Sequence, residues 1–180
     1  MMTHKGTQAI QTRRLILRQF RIEDTQDMFR NWASDAEVTK YMTWPTHSNA
    51  EISRMVLTDW VSGYQRPDFY QWAIEYEGQP VGSISVTEHN DDIGMAEIGY
   101  CIGRKWWHKG ITSEALQAVI AYLFDEVGYR RIQARHDPRN PHSGAVMRKC
   151  GMSYEGTYRQ GDRNNQGICD ASMYAILASD

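Results

Sequence analysis

The chain has 180 residues, a formal net charge of −2, 41% apolar and 11% aromatic residues, which suits one folded domain with its own core and excludes a disordered chain. A sequence pI near 6.3 excludes a nucleic-acid binder relying on bulk positive charge, so no direct nucleic-acid contact is expected. Cys101, Cys150 and Cys169 form no CxxC pair, no apolar run nears the roughly 18 residues of a membrane span, and no apolar stretch follows the first charges. These features predict a reduced cytoplasmic chain with no membrane partner.

Residues 1–11 read as an N-terminal tail and 12–180 as a single domain. The first strand signal is Leu15 to Phe20. Acidic Glu23 and Asp24 then suit the start of a helix whose apolar face is Met28, Phe29 and Trp32. Trp44-Pro45 breaks the chain. Ile52, Met55, Val56 and Trp60, at three- and four-residue spacings, predict a second helix over 49–63. Three strands follow, 69–77, 81–88 and 95–102, separated by the turn residues Gly78-Gln79 and Asn90-Asp91-Asp92, and they read as an antiparallel meander.

A long helix follows Gly110, with Leu116, Val119, Ile120, Leu123, Phe124 and Val127 on one face and Gly128 at its end. Residues 131–135 read as a strand. Asn140-Pro141 supplies an N-cap and first helical residue, Cys150-Gly151 closes that helix, and strands over 154–159 and 171–177 complete the chain. This order predicts an α/β (α+β) arrangement, a mixed sheet with helices on its faces.

The segment from Tyr100 to Leu116 carries the functional signal. A strand ends, a short loop follows and an amphipathic helix begins, so unpaired backbone N–H groups and the positive end of the helix dipole suit an anion there, with a tight strand–helix turn and a solvated basic rim as the other reading. Gly110 can bring bare backbone close to a phosphate, and Arg104, Lys105 and Lys109 add charge nearby.

This segment and its surroundings resemble the GNAT acetyltransferase superfamily, in particular its ribosomal-protein N-terminal (alanine/serine) acetyltransferase branch. The family's Gln/Arg-x-x-Gly-x-Gly/Ala signature corresponds to Trp107-His108-Lys109-Gly110-Ile111-Thr112. There Gly110 matches, Trp107 replaces the polar residue and Thr112 the small one. Further matches fall in order: Arg14 to Arg18, Val81 to Ile84, Ala96 to Tyr100, Glu114 to Leu116, Asn140 to Ser143, Lys149 to Met152, Tyr154 to Gly156 and Asp170 to Tyr174.

The resemblance implies a mostly antiparallel sheet of six to seven strands, about four flanking helices and a splayed pair of central parallel strands. It implies acetyl-CoA as cosubstrate, held by the strand Tyr100-Cys101-Ile102, by the loop Trp107, His108, Lys109, Gly110, Ile111 and Thr112, and by Asn140. An amine acceptor would attack the thioester directly, so no nucleophile triad is needed, and no Gly-x-Ser-x-Gly is present. Glu97 is then the candidate general base, with a strand-surface ion pair as its other reading. Ser143 or a nearby tyrosine is the candidate proton donor, with support of the helix start as the other reading of Ser143. Tyr41, Trp44 and Trp60 fall where similar proteins form the acceptor cleft, with ordinary core packing as their other reading.

Cys101 and Cys150 read as core residues. His108 and His142 lack metal-ligand spacing with other His or Cys, so no metal is expected. The acceptor stays open between a protein N-terminus and a small amine such as an aminoglycoside or polyamine. An acidic cleft, to which Asp35, Glu37 and Glu75 could contribute, would favour the latter. A non-catalytic acyl-CoA-binding module and a homodimer also remain open.

Overall fold

The computed structural model describes residues 2–180. Its strands are β1 (Ile10–Gln11), β2 (Leu15–Arg18), β3 (Gln71–Tyr76), β4 (Gln79–Asn90), β5 (Met95–Ile102), β6 (Arg131–His136), β7 (Ser153–Asn164) and β8 (Gly167–Leu177). They form one sheet in the order β1-β2-β3-β4-β5-β6-β8-β7. This is eight strands, where the sequence predicts six to seven. The added one is two-residue β1, which pairs Ile10 with Leu17 and Gln11 with Ile16 and is too short to show a period. The last hairpin is also longer than predicted.

The predicted meander is present as β3, β4 and β5, each antiparallel to the next. Among the described residues, β5 and β6 are the one parallel pair, because a helical crossover joins them. That crossover is α4 (Ile111–Tyr122), extended by a π-helical turn over Leu123–Val127 and ended by Gly128 at φ 91°. The other helices are α1 (Thr25–Met28), α2 (Ala36–Thr39), α3 (Ala50–Gly63) and α5 (Pro141–Lys149), five in all. The helix predicted after Glu23 is broken into a 3-10 turn, α1 and a π turn over Phe29–Ala33. One cause is Asp24, whose carboxylate accepts from the Arg21 N–H and from Arg18 and so holds a separate first turn.

Alternation along the strands builds two cores. On β3, Trp72 and Ile74 join the cluster that holds Leu116, Val119 and Leu123 of the crossover, whereas Ala73 joins the cluster of Phe20, Trp32 and Leu57 on the opposite face. Residues 2–11 lie against this body: Thr3 N–H bonds Val127, Gly6 N–H bonds Pro67, and the Trp72 indole donates to the Gln8 carbonyl.

Gly82 of β4 faces Ile102 of β5 so closely that a Cβ there would lie 2.3 Å from the Cys101 carbonyl oxygen. Gly82→Ala is therefore expected to destabilise the domain by about 1–3 kcal/mol, lowering Tm by roughly 3–10 °C in a thermal melt.

Candidate active site

The parallel ladder joins Met95, Ala96 and Glu97 to Arg131, Ile132 and Gln133, and stops there. Past Glu97, β5 runs on to Ile102 while β6 turns away to His136. The register states which backbone groups this frees. Gly103 N–H bonds the Val81 carbonyl at 2.8 Å. Antiparallel alternation then aims the polar groups of Cys101 at β4, and those of Tyr100 and Ile102 at the opened side. Only the Ile102 carbonyl is already engaged, by the Trp107 indole N–H at 2.9 Å.

The opening holds a cleft with two lobes of about 420 and 460 Å³, joined at Met42, Tyr100, Cys101, Asn140 and Ser143. The first lobe runs along Trp106 to Ser113 and α5 to Lys149. Gly110 is the N-cap of α4 at φ 72°, and no side chain caps that helix, so its first N–H groups face the loop unpaired. A Cβ on Gly110 would lie 3.5 Å from Arg14 Nη2 and 3.6 Å from Lys149 Nζ, which places two cations at the same point.

Arg14 is itself fixed, donating to the Lys109 carbonyl and to Glu114. Burial opposes ionisation of Glu114, but bonds from Thr12 and Arg14 outweigh it and hold its carboxyl below the usual range. His108 also has positive φ, 60°, with its ring 5.0 Å from that of His142. Ile111 is buried in the core, and Thr112 lines the lobe. Trp107 turns inward: its side chain packs against both apolar clusters, and its backbone N–H bonds the Arg104 carbonyl.

Asn140 is the N-cap residue of α5, but its side chain makes no capping bond. Its ψ of 73° departs from the extended geometry that lets a cap reach back, and Pro141 at the first helical position has no N–H to satisfy. Asn140 lines both lobes instead.

Glu97 sits where the two strands part, only 4% exposed. It accepts from Gln133 Nε2 at 2.8 Å and lies 3.3 Å from Arg135 Nε, which also bridges Asp162. Tyr100 donates its hydroxyl to the Ser143 carbonyl at 2.9 Å and accepts from Ser143 Oγ at 3.3 Å. Burial pushes the Tyr100 phenol up, which the Ser143 bond only partly offsets, so it stays protonated. Burial also pushes up the Cys101 thiol, and raises that of Cys150 to about 11, which keeps both from acting as nucleophiles.

Tyr41 and Trp44 line the second lobe with Trp32, Trp60 and His47. Asp35, Glu37 and Glu75 do not gather there: Asp35 pairs with Arg104 and caps α2, and Glu75 pairs with Arg18 on the sheet. The acids of that lobe are Glu97, Asp137 and Asp162. Arg139 binds Asp137 and, against some desolvation, holds its carboxyl well below the usual range.

Gln133 and Arg135 are legible in the sequence only as strand residues, not as site residues. Their signal was available: polar 131, 133 and 135 alternate with buried Ile132 and Ala134 in a strand that helices cover. What they face depends on the partner strand.

Fold and cleft together define an acyltransferase. The chain belongs to the GNAT acetyltransferase family: the family described as "Acetyltransferase (GNAT) domain" matches residues 14–153, and that family uses acetyl-CoA. It is similar to an uncharacterized N-acetyltransferase, p20, of Bacillus licheniformis, with 29% identity over 94% of this chain and 96% of that one. Ribosomal-protein-serine acetyltransferase of Escherichia coli is 29% identical over 76% of each chain. RimL, a ribosomal L7/L12 alpha-N-protein acetyltransferase solved with coenzyme A, shares the fold with a TM-score of 0.86 at 22% identity, over 96% of this chain and all of that one. No helix is long and apolar enough to cross a membrane, among the described residues.

Proposed function

We propose that this protein transfers the acetyl group of acetyl-CoA to a primary amine at a protein N-terminus, by direct attack with both substrates bound. The observation that carries the reading is the opened edge of β5 leading straight into the uncapped start of α4. An extended pantetheine arm can add to that edge through the Tyr100 N–H and carbonyl and the Ile102 N–H. The pyrophosphate then meets the N–H groups of 108–112, with Arg14 and Lys149 beside them. Asn140, whose side chain makes no capping bond, takes the pantetheine amides in this reading. Acetyl-CoA supplies an activated thioester, so the chain's own residues need only orient the reactants and move protons.

Glu97 takes the proton from the attacking amine, directly or through one water. Its carboxylate lines the cleft where the strands part, and Gln133 and Arg135 fix its orientation. Ser143 Oγ, beside Tyr100, turns its hydroxyl to hydrogen-bond the departing thiolate, which takes up its proton from solvent. A thiol with an ordinary pKa of about 8.5 leaves without full protonation, so the donor contributes little. Ser143→Ala is expected to lower kcat about tenfold, below the usual range for acid–base groups, with KM for acetyl-CoA unchanged in steady-state assays.

Two observations favour a protein N-terminus as acceptor. One relative is named a ribosomal-protein-serine acetyltransferase. Arg135, shared by Glu97 and Asp162, and Arg139 on Asp137 cancel all but one of the charges on the second lobe's three acids, which leaves a weak attraction for a polyamine or aminoglycoside. Tyr41 and Trp44 form the aromatic wall against which the first residues of a peptide pack. The cytoplasm is the proposed site of action, since Cys101, Cys150 and Cys169 are all free.

The test is thiol release from acetyl-CoA with peptides beginning in Ser or Ala, compared with spermidine and an aminoglycoside. Preference for the peptides supports the reading. Preference for the small amines reverses the acceptor assignment, and tight acetyl-CoA binding with no turnover on any acceptor indicates a binding module.

A further inference from the structure

We propose that His4, His89 and Asp91 form a binding site for a divalent transition-metal ion of the zinc class, which fastens the N-terminal segment to the end of the central hairpin. Their ligand atoms all lie within 4.8 Å of one another. Asp91 stands between the two rings, with Oδ2 3.0 Å from His4 Nε2 and Oδ1 2.8 Å from His89 Nδ1. Tetrahedral coordination at about 2.0–2.2 Å places ligand atoms about 3.3–3.6 Å apart; each ring meets a different oxygen of Asp91 and the ligand atoms span up to 4.8 Å, so one ring must move in while the close contacts open slightly. Two imidazoles and one carboxylate are the donor set that zinc accepts, and the half-exposed His89 and exposed Asp91 leave a path for entry and a fourth position for water.

A hydrogen-bonded pair on the surface would need only one histidine. Here each ring also has a group on the nitrogen that faces away from the site. His4 Nδ1 lies 2.9 Å from the Tyr70 hydroxyl, and His89 Nε2 lies 3.9 Å from Asp68 Oδ2. Such partners on the far nitrogen set the tautomer and ring orientation of a metal-binding histidine. The Tyr70 hydroxyl can accept from His4 Nδ1–H. With the ion on Nε2, the neutral ring carries its hydrogen on Nδ1, facing the Tyr70 hydroxyl. Each His4 nitrogen is then satisfied.

The three residues come from separate pieces of chain: the N-terminal segment, β4 and the turn after it. They lie at the end of β5 away from the phosphate loop. The site therefore serves structure, not acetyl transfer, and stands whether or not the proposed acceptor is correct.

The experiment uses the full chain without an affinity tag, stripped with a chelator, titrated with Zn²⁺ by calorimetry and with Co²⁺ by absorption. One equivalent is expected to bind, with ligand-field bands of tetrahedral nitrogen and oxygen donors, and Zn²⁺ at a hundredfold its Kd should raise Tm by roughly 5–10 °C. Asp91→Asn and His89→Gln, both at exposed or half-exposed positions, should weaken binding at least tenfold with unchanged circular dichroism. If a variant fails to fold, Co²⁺ on the parent protein decides alone through its ligand bands. No saturable binding, unchanged affinity in both variants, or thiolate charge-transfer bands showing capture by a cysteine would each overturn the site.

Discussion

Gly110→Val is expected to weaken acetyl-CoA binding about a hundredfold while the domain stays folded. The N-cap of α4 has φ 72°, a region that costs an L-residue about 1–2 kcal/mol, and more for a β-branched one. The chain can escape only by rotating the peptides on either side. Those peptides carry the N–H groups that would face the pyrophosphate, so relief of strain and loss of the anion site are the same event. About 2.8 kcal/mol corresponds to a hundredfold at ~1.4 kcal/mol per decade. The fold should survive, because the new Cβ would meet only the ends of Arg14 and Lys149, at 3.5 and 3.6 Å. Calorimetry with CoA and a thermal melt separate the two effects. Asn tolerates the left-handed region, so Gly110→Asn should recover most of the affinity. Unchanged affinity in the valine variant would remove the loop from the cofactor site.

The larger effect on turnover is expected at Glu97. Glu97→Gln should lower kcat by about 10²–10⁴, the usual contribution of a positioned acid–base group, and abolish the limb of the pH–rate profile that belongs to it. KM for acetyl-CoA should hold, since the carboxylate lies toward the acceptor lobe. Structure should hold as well. The amide oxygen of the new glutamine can still accept from Gln133, and Arg135 keeps Asp162 at 3.0 Å. A carboxylate that merely balances Arg135 would behave differently, losing stability on substitution with turnover and pH profile intact. That result would dismiss Glu97 as the base.

The two sites reached this point by different routes. The start of the helix at Gly110 is legible from a strand, a short loop with one glycine and an amphipathic helix, but those alone equally describe a plain tight turn, and the ordered family matches on both sides are what make it a phosphate-loop candidate. Glu97 was legible only by resemblance to a family. As a lone glutamate in a strand it could equally have been a surface charge. Its burial, and the Gln133 and Arg135 contacts that aim it, come from β6, which begins 34 residues later and lies beside β5 only because of the crossover.

Other residues show where local reading stops. Trp107 occupies a position that the family gives to a polar residue, and the sequence cannot say that its indole would turn back to the Ile102 carbonyl. The choice depends on the two apolar clusters that the side chain bridges. Asn140 has the composition of a helix cap, yet its backbone angles and Pro141 release it into the cleft. Asp35, Glu37 and Glu75 could be imagined together on paper. In the fold Arg104 and Arg18 claim two of them elsewhere.

The sequence by itself determined the elements with a strong period: the meander over β3 to β5, the crossover helix with Leu116, Val119, Ile120 and Leu123 on one face, and α5 between its proline and its glycine. It did so because each of these depends on side chains a few residues apart. Tertiary structure alone decided what depends on distant ones. Two-residue β1 exists because β2 offers it an edge, the cleft exists because β5 and β6 part after Glu97, and His4 meets His89 and Asp91 because the N-terminal segment is bound along the sheet. Spacing along a chain carries no information about such meetings. They follow from the packing of whole layers, in which burial of the two apolar clusters sets where each polar group ends up.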